Sequence, residues 1–236
     1  MWRLTGVIFL GWGLGSMHVD TEMKTYYAAR APYYDAVYEK PERRADIAFL
    51  SAHLPSRLSG LDVLEVACGT GYWTQHIAPA AQRYVATDAV LEPMEFAKLR
   101  PGVNDVQFVQ ADAYDLPKHL EPFTAAFAGF WFSHIPIEQR ARFIAGLHGL
   151  LLPGARVIFI DNSEVQCREL PVVECDEHGN TYQSRPLRDG SCHRVLKNFP
   201  SERELRVLVS ALGARAVQFK TLDNFWVFEY QVNAVP

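Results

Sequence analysis

Leu61-Asp62-Val63-Leu64-Glu65-Val66-Ala67-Cys68-Gly69-Thr70-Gly71 is the stretch whose reading decides the fold. Its first six residues read as a buried strand, and they run straight into two glycines. Glycine lets the backbone turn sharply and approach a ligand with no Cβ in the way. Upstream, Pro41-Glu42-Arg43-Arg44 opens a helix with Pro in its first turn. Ala45, Ala48, Phe49 and Ala52 then fall at helical spacing and predict its apolar face. Downstream, 72–80 suits a helix whose end is weakened by Pro79. Further strands are expected over 83–88, 106–112, 123–130 and 155–161, with helices over about 92–99 and 137–151. Strands alternating with helical patterns imply βαβ units and a parallel sheet covered on both faces.

The rhythm changes after residue 161. Two turn signals, Gly179-Asn180 and Asp189-Gly190, predict irregular chain plus a hairpin over 162–200. Ser201-x-x-Glu204 is a capping box for a helix over about 202–212, which Gly213 stops. Apolar runs over 216–221 and 225–232, joined by Leu222-Asp223-Asn224, predict a terminal antiparallel pair. The fold class is therefore α/β, a doubly wound, mostly parallel seven-stranded sheet with a C-terminal antiparallel pair. Residues 4–15 are nearly all apolar or Gly but fall short of the roughly 20 residues a spanning helix needs. Residues 1–23 are expected to be a leader or non-native extension, and 24–236 one domain with a lid-like insertion at about 162–200.

Composition narrows the chemistry by exclusion. A net charge of −4 over 236 residues argues against nucleic acid or an anionic membrane as the main partner. Four scattered cysteines do not form a secreted disulfide framework, so a cytoplasmic protein is expected. Cys167, Cys175, His178, Cys192 and His193 lack the paired spacing of a zinc site, and no metal is expected.

In an open parallel sheet, ligands bind beyond the carboxyl ends of the strands, where strand order reverses. The first strand ends in Glu65 and the glycine loop. The second ends in Asp88, whose carboxylate can accept both hydroxyls of a ribose. The third ends in Asp112, suited to accept from an exocyclic amine. Two nucleoside ligands compete for such a site. A dinucleotide requires a third loop glycine, yet that position is Thr74, and its pyrophosphate would be repelled by Glu65. A ligand with a cationic head and no phosphate suits Glu65 better.

The segment 65–71 resembles the glycine-rich motif of class I S-adenosylmethionine-dependent methyltransferases, with Ala67 where the first glycine usually stands. The resemblance covers about residues 24–232 and implies a Rossmann-like fold with S-adenosylmethionine as cofactor and S-adenosylhomocysteine as product. It implies that Glu65, Ala67, Gly69, Thr70 and Gly71 surround the methionine part. Asp88 would hold the ribose, Asp112 and Ala113 would face the adenine, and Ala89 and Met94 would line the adenosine slot. Phe130-Trp131-Phe132-Ser133-His134 is similar to the segment that passes between cofactor and acceptor. Tyr26, Tyr27 and Tyr34 lie in a stretch similar to an N-terminal helix that closes over the cofactor. The implied reaction is in-line transfer of a methyl group to an O, N or S atom of a small molecule. His134, with an unperturbed pKa near neutrality, is the candidate general base. Tyr182, Arg185 and Arg188 lie in the insertion that would set acceptor specificity. A monomer or homodimer is expected. The alternatives are a nicotinamide-dependent oxidoreductase and a catalytically idle cofactor-binding scaffold.

Overall fold

A computed structural model describes residues 14–120 and 122–233. In chain order its elements are helix α1 (Leu14–Arg30), α2 (Arg44–Leu58), strand β1 (Asp62–Val66), α3 (Thr74–Ile77), β2 (Arg83–Asp88), α4 (Leu91–Ala97), β3 (Val106–Gln110) and β4 (Phe123–Gly129). There follow α5 (Arg140–His148), β5 (Leu151–Asn162), β6 (Val172–Cys175), β7 (Thr181–Pro186), β8 (Cys192–Leu196), α6 (Glu202–Ala211), β9 (Arg215–Thr221) and β10 (Phe225–Gln231).

Seven strands form one sheet in the order β3-β2-β1-β4-β5-β10-β9. The first five are parallel, and β10 runs antiparallel to both β5 and β9. Their interior positions are buried on both faces, as Leu64, Val85, Ala126, Phe127, Phe159 and Phe228 illustrate. Each such large apolar side chain contributes about 1.5–3 kcal/mol when removed from water. The chain steps outward from β1 to β2 and β3, then returns to place β4 on the other side of β1. That reversal opens a crevice at the carboxyl ends of β1 and β4.

Four expectations are corrected. In α2 the buried residues are Asp46, Leu50, Leu54 and Leu58, while Ala45, Ala48 and Ala52 face solvent and Phe49 is half-buried. The apolar stripe lies one residue round from the expected one because Asp46 goes inward. Its carboxylate accepts the backbone N–H groups of Asp223 and Asn224 (3.3 and 2.7 Å), tying α2 to the β9–β10 turn. The helix after the glycine loop is one α-helical turn, α3, followed by a 3-10 turn at Ala78–Ala80 where Pro79 withholds its N–H. Residues 162–200 form a three-stranded antiparallel sheet, β6-β7-β8, one strand more than the expected hairpin. Finally, α1 begins at Leu14, ten residues ahead of the boundary expected at Lys24, so the leader reading reaches into a helix; its residues 1–13 lie outside the described residues.

The small sheet is docked against α1 and against the turn after β4. Met23 and Tyr26 of α1 pack with Tyr182, Val195 and Leu196, and Glu22 accepts the backbone N–H of Arg194 at 2.7 Å. Below, Asn198 N–H donates to the Ser133 carbonyl at 2.8 Å, joining the end of β8 to the turn after β4.

Candidate functional site

Helix α1, the 3-10 segment Ala31–Val37 that follows it and the loops after β1 to β4 line a cavity with about 1030 Å³ of empty space, part of it open to solvent. Two residues in its wall have unusual backbones. Ala67, after β1, has φ +58°, and Phe130, after β4, has φ +59°. Both sit in the left-handed region that disfavours residues with a Cβ, on the two strands that flank the reversal. Ala67→Gly is expected to raise stability by about 0.5–1 kcal/mol, because the left-handed penalty outweighs the entropy glycine adds. Gly71→Ala is expected to lower it by more than 2 kcal/mol (roughly the cost of overpacking plus strain), since a Cβ there would meet Ala97 Cβ at 2.7 Å. Thermal unfolding of both variants measures the pair.

Glu65 ends β1 and lies almost wholly buried at the cavity. Its Oε2 accepts the Thr74 hydroxyl at 2.6 Å and the Tyr84 hydroxyl at 3.0 Å. Burial pushes its pKa up to about 7, against the pull of these two donors. Thr74, which stands where a dinucleotide loop has its third glycine, thus fixes the carboxylate instead. Asp88 ends β2, with Oδ2 accepting Gly69 N–H and Oδ1 accepting Val90 N–H, each at 2.8 Å. It is therefore the clasp of the glycine loop, and burial raises its pKa despite these bonds. Asp112 caps its own turn through Tyr114 N–H at 2.9 Å and meets Lys24 of α1 at 3.3 Å.

The other expected site residues divide. Ala67, Gly69, Thr70, Ala89, Ala113, Phe130, Tyr34 and His134 line the cavity with the three carboxylates. Thr70 also donates its hydroxyl to Asp35 at 2.7 Å, and Asp35 is ion-paired to Arg100. Gly71, Met94 and Tyr26 do not line it. Gly71 is spent on close packing against Ala97. Met94 points into the core beneath α4, leaving Pro93 at the cavity, and Tyr26 faces the small sheet, leaving Tyr27 inward. Residues not anticipated include Lys24, Tyr38, Tyr72 and Trp73. Tyr38 stacks on Tyr72 with centroids 3.8 Å apart and meets Trp73 and Phe130 edgewise or tilted. The 72–73 pair directly follows the glycine loop, which was the available signal. Lys24 and Tyr38 come from distant segments and carried none.

His134 is not the near-neutral base its residue type suggests. It is 5% exposed, and burial, reinforced by the Lys197 and Arg185 charges, lowers its pKa to about 3. Its Nδ1–H donates to the Leu196 carbonyl at 2.5 Å, so the neutral ring's Nε2 accepts the Tyr27 hydroxyl at 2.9 Å. Arg185, from the insertion, donates to that same hydroxyl at 3.0 Å. Beside it, Lys197 bridges Asp161 (2.8 Å) and the Ser133 hydroxyl (2.6 Å), all three fully buried.

The site joins the buried carboxylate of Glu65, a second carboxylate, Asp88, at the end of β2 and an aromatic wall at the reversal point of a doubly wound sheet. Residues 63–154 match the family described as "Methyltransferase domain". The chain carries a methyltransferase domain of the class I S-adenosylmethionine-dependent type. The chain is similar to a solved structure described as the DhpI-SAH complex, with 28% identity, a TM-score of 0.76, and 92% of this chain and 98% of that one covered. A DhpI-SAM-HEP complex matches at 29% identity and a TM-score of 0.75, covering 90% and 97%. The ubiquinone/menaquinone biosynthesis C-methyltransferase UbiE of Sinorhizobium fredii is 24% identical over 80% of this chain and 84% of its own. The match to the demethylmenaquinone methyltransferase of Lactococcus lactis, 26% identical, spans 45% of this chain and 44% of that relative. A Mycobacterium ulcerans relative is likewise spanned over only 40% of its length.

Proposed function

We propose that the chain transfers a methyl group from S-adenosylmethionine to a small-molecule acceptor bound under the three-stranded sheet. The observation that carries this reading is the chemistry of the cavity wall. Glu65 and the rings of Tyr38, Tyr72 and Trp73 favour a cationic group, through charge and through the negative faces of the aromatics. The carboxylate of Glu65, buried beside the glycine loop, would repel a pyrophosphate, which argues against a dinucleotide. The residues present fit S-adenosylmethionine: Glu65 with Ala67 and Gly69 for the methionine part, Asp88 for the ribose, and Asp112 with Ala89 and Ala113 for the adenine.

When bound, that cofactor supplies an electrophilic methyl group on a good leaving group. What this chain's residues contribute is alignment and exclusion of water, and positioning of reactants is worth roughly 7–11 kcal/mol at best. Helix α1 covers the cavity through Lys24 and Tyr27, and the small sheet packs behind that helix, where Arg185 donates to the Tyr27 hydroxyl. His134 orients the Tyr27 hydroxyl. With a pKa near 3 it accepts that hydrogen bond at any ordinary pH but is a weak proton acceptor. We assign it a positioning role in place of general base. The names of the relatives include C-methyltransferases, so the acceptor atom is not confined to O, N or S. Among the described residues no helix is long and apolar enough to cross a membrane. Four free cysteines support a reducing, cytoplasmic setting.

Calorimetry is the test. S-adenosylhomocysteine is expected to bind at micromolar concentration and NADH not to bind; the reverse result overturns the assignment. In the same titration His134→Gln should leave S-adenosylhomocysteine affinity within about threefold, as expected for a group that acts through Tyr27.

A further inference from the structure

A second cavity, with about 610 Å³ of empty space, adjoins the first. Tyr27, Tyr34, Tyr38, Phe130 and His134 line both, so the two share one wall. Their linings differ sharply in charge. The cofactor cavity carries Glu65, Asp88 and Asp112 against Lys24. The inner chamber carries Arg30, Lys40, Arg43, Arg185 and Lys197 against the single carboxylate of Glu169.

Internal pairing does not neutralise this set. Lys40 and Arg43 share Glu169, and Lys197 is matched by Asp161 beneath it. Arg30 and Arg185 have no carboxylate within ion-pair distance among the described residues. Arg30 donates to the Tyr26 hydroxyl and lies over the Tyr26 and Tyr34 rings. Arg185 is 5% exposed and spends its donors on the Gln183 side-chain carbonyl and the Tyr27 hydroxyl, both neutral. The Nε atoms of Arg30 and Arg43 are buried without a hydrogen-bond partner. A buried guanidinium is strongly disfavoured unless a negative charge compensates it, and its planar fork suits an oxyanion.

We propose that the inner chamber is the acceptor site and that its acceptors carry an oxyanion, a carboxylate or a phosphonate-type group, held by Arg185, Arg30 and Arg43. This rests on the methyltransferase reading and narrows its substrate class. The paired Lys40 and Glu169 side chains are partly exposed and mark its solvent side, and the 610 Å³ of space suits a small molecule. The acidic cofactor cavity in turn disfavours an anion straying into the wrong compartment, so the charge contrast sorts the two ligands.

The experiment titrates four probes of one size into the full chain, with and without saturating S-adenosylhomocysteine. These are phenylphosphonate, benzoate, benzyl alcohol and benzylamine. At least one anion is expected to bind at least tenfold more tightly than the neutral and cationic probes, and its affinity to fall with added salt. Which anion binds better separates a phosphonate-type acceptor from a carboxylate. Arg185→Gln and, independently, Arg43→Gln are expected to weaken the preferred anion at least tenfold, with S-adenosylhomocysteine affinity within threefold of the parent. Failure of both anions to bind at millimolar concentration, equal binding of benzylamine, or indifference to both substitutions overturns the proposal. Failure of S-adenosylhomocysteine to bind overturns the cofactor reading instead, and the titrations without it still decide the chamber.

Discussion

Asp88→Ala is expected to weaken S-adenosylhomocysteine binding by at least about 100-fold. The carboxylate does two things at once. Its two oxygens each accept a backbone N–H, from Gly69 on the glycine loop and Val90 at the start of α4, and it faces the cavity at the height proposed for the ribose. A hydrogen bond to a charged group contributes roughly 1.5–3 kcal/mol, so loss of the ribose contacts together with a loosened loop amounts to about 3–4 kcal/mol. That is a factor of about 10² to 10³ in affinity. Asp88→Asn retains an acceptor and should fall between. Calorimetry against the parent, with circular dichroism to establish that the sheet is intact, reads the effect. An unchanged dissociation constant in a folded Asp88→Ala variant removes the ribose role.

The second large effect is a pH dependence of cofactor affinity set by Glu65. Burial holds this carboxyl at about 7 in the ligand-free protein, against an ordinary 4.5. The raised value means that the folded state retains the proton the unfolded chain releases. Its stabilising contribution is therefore present below about pH 4.5 and lost as pH rises through about 7. The ammonium of the methionine part favours the ionised form, so binding must expel the proton below pH 7. S-adenosylhomocysteine affinity is expected to rise about tenfold per pH unit between 5 and 7, then level. At pH 6 the binding enthalpy should vary with the ionisation heat of the buffer, reporting release of about one proton. Glu65→Gln is expected to flatten both dependences and to bind weakly throughout. The substitution isolates Glu65 from Asp88, whose carboxyl burial also raises. A Glu65→Gln protein that keeps the parent's slope assigns the proton elsewhere.

Both predictions concern residues at strand ends, and there the sequence was most legible. Strands with a two-sided apolar character need no partner to be recognised, and β2 falls at 83–88 as expected. The carboxylates that follow such strands are placed by the backbone alone, because a strand end cannot turn its last residue far from the crevice. Helices were read less well. The stripe of α2 departs from its apolar spacing because Asp46 is buried, and only the distant β9–β10 turn makes burial of that carboxylate favourable. Met94 and Tyr26 turn away from the cavity for a related reason. Each sits on a helix near the cavity, but one residue's rotation, about 100°, decides whether a side chain meets ligand or core.

The basic inner chamber was the least visible feature. Arg30 ends α1, Arg43 precedes α2, Arg185 is in β7 and Lys197 follows β8, and nothing in their spacing marks them as neighbours. Local patterning determined the strands, their order of appearance, the glycine loop and the carboxylates of the cofactor cavity, since those follow from hydrophobic periodicity and short-range turn chemistry. The pairing of Tyr27 with His134, the fall of that histidine to a pKa near 3 and the gathering of five cations behind it depend on burial and on charges brought from distant segments. Desolvation and Coulombic interaction act through space, and only the closed tertiary structure sets those distances.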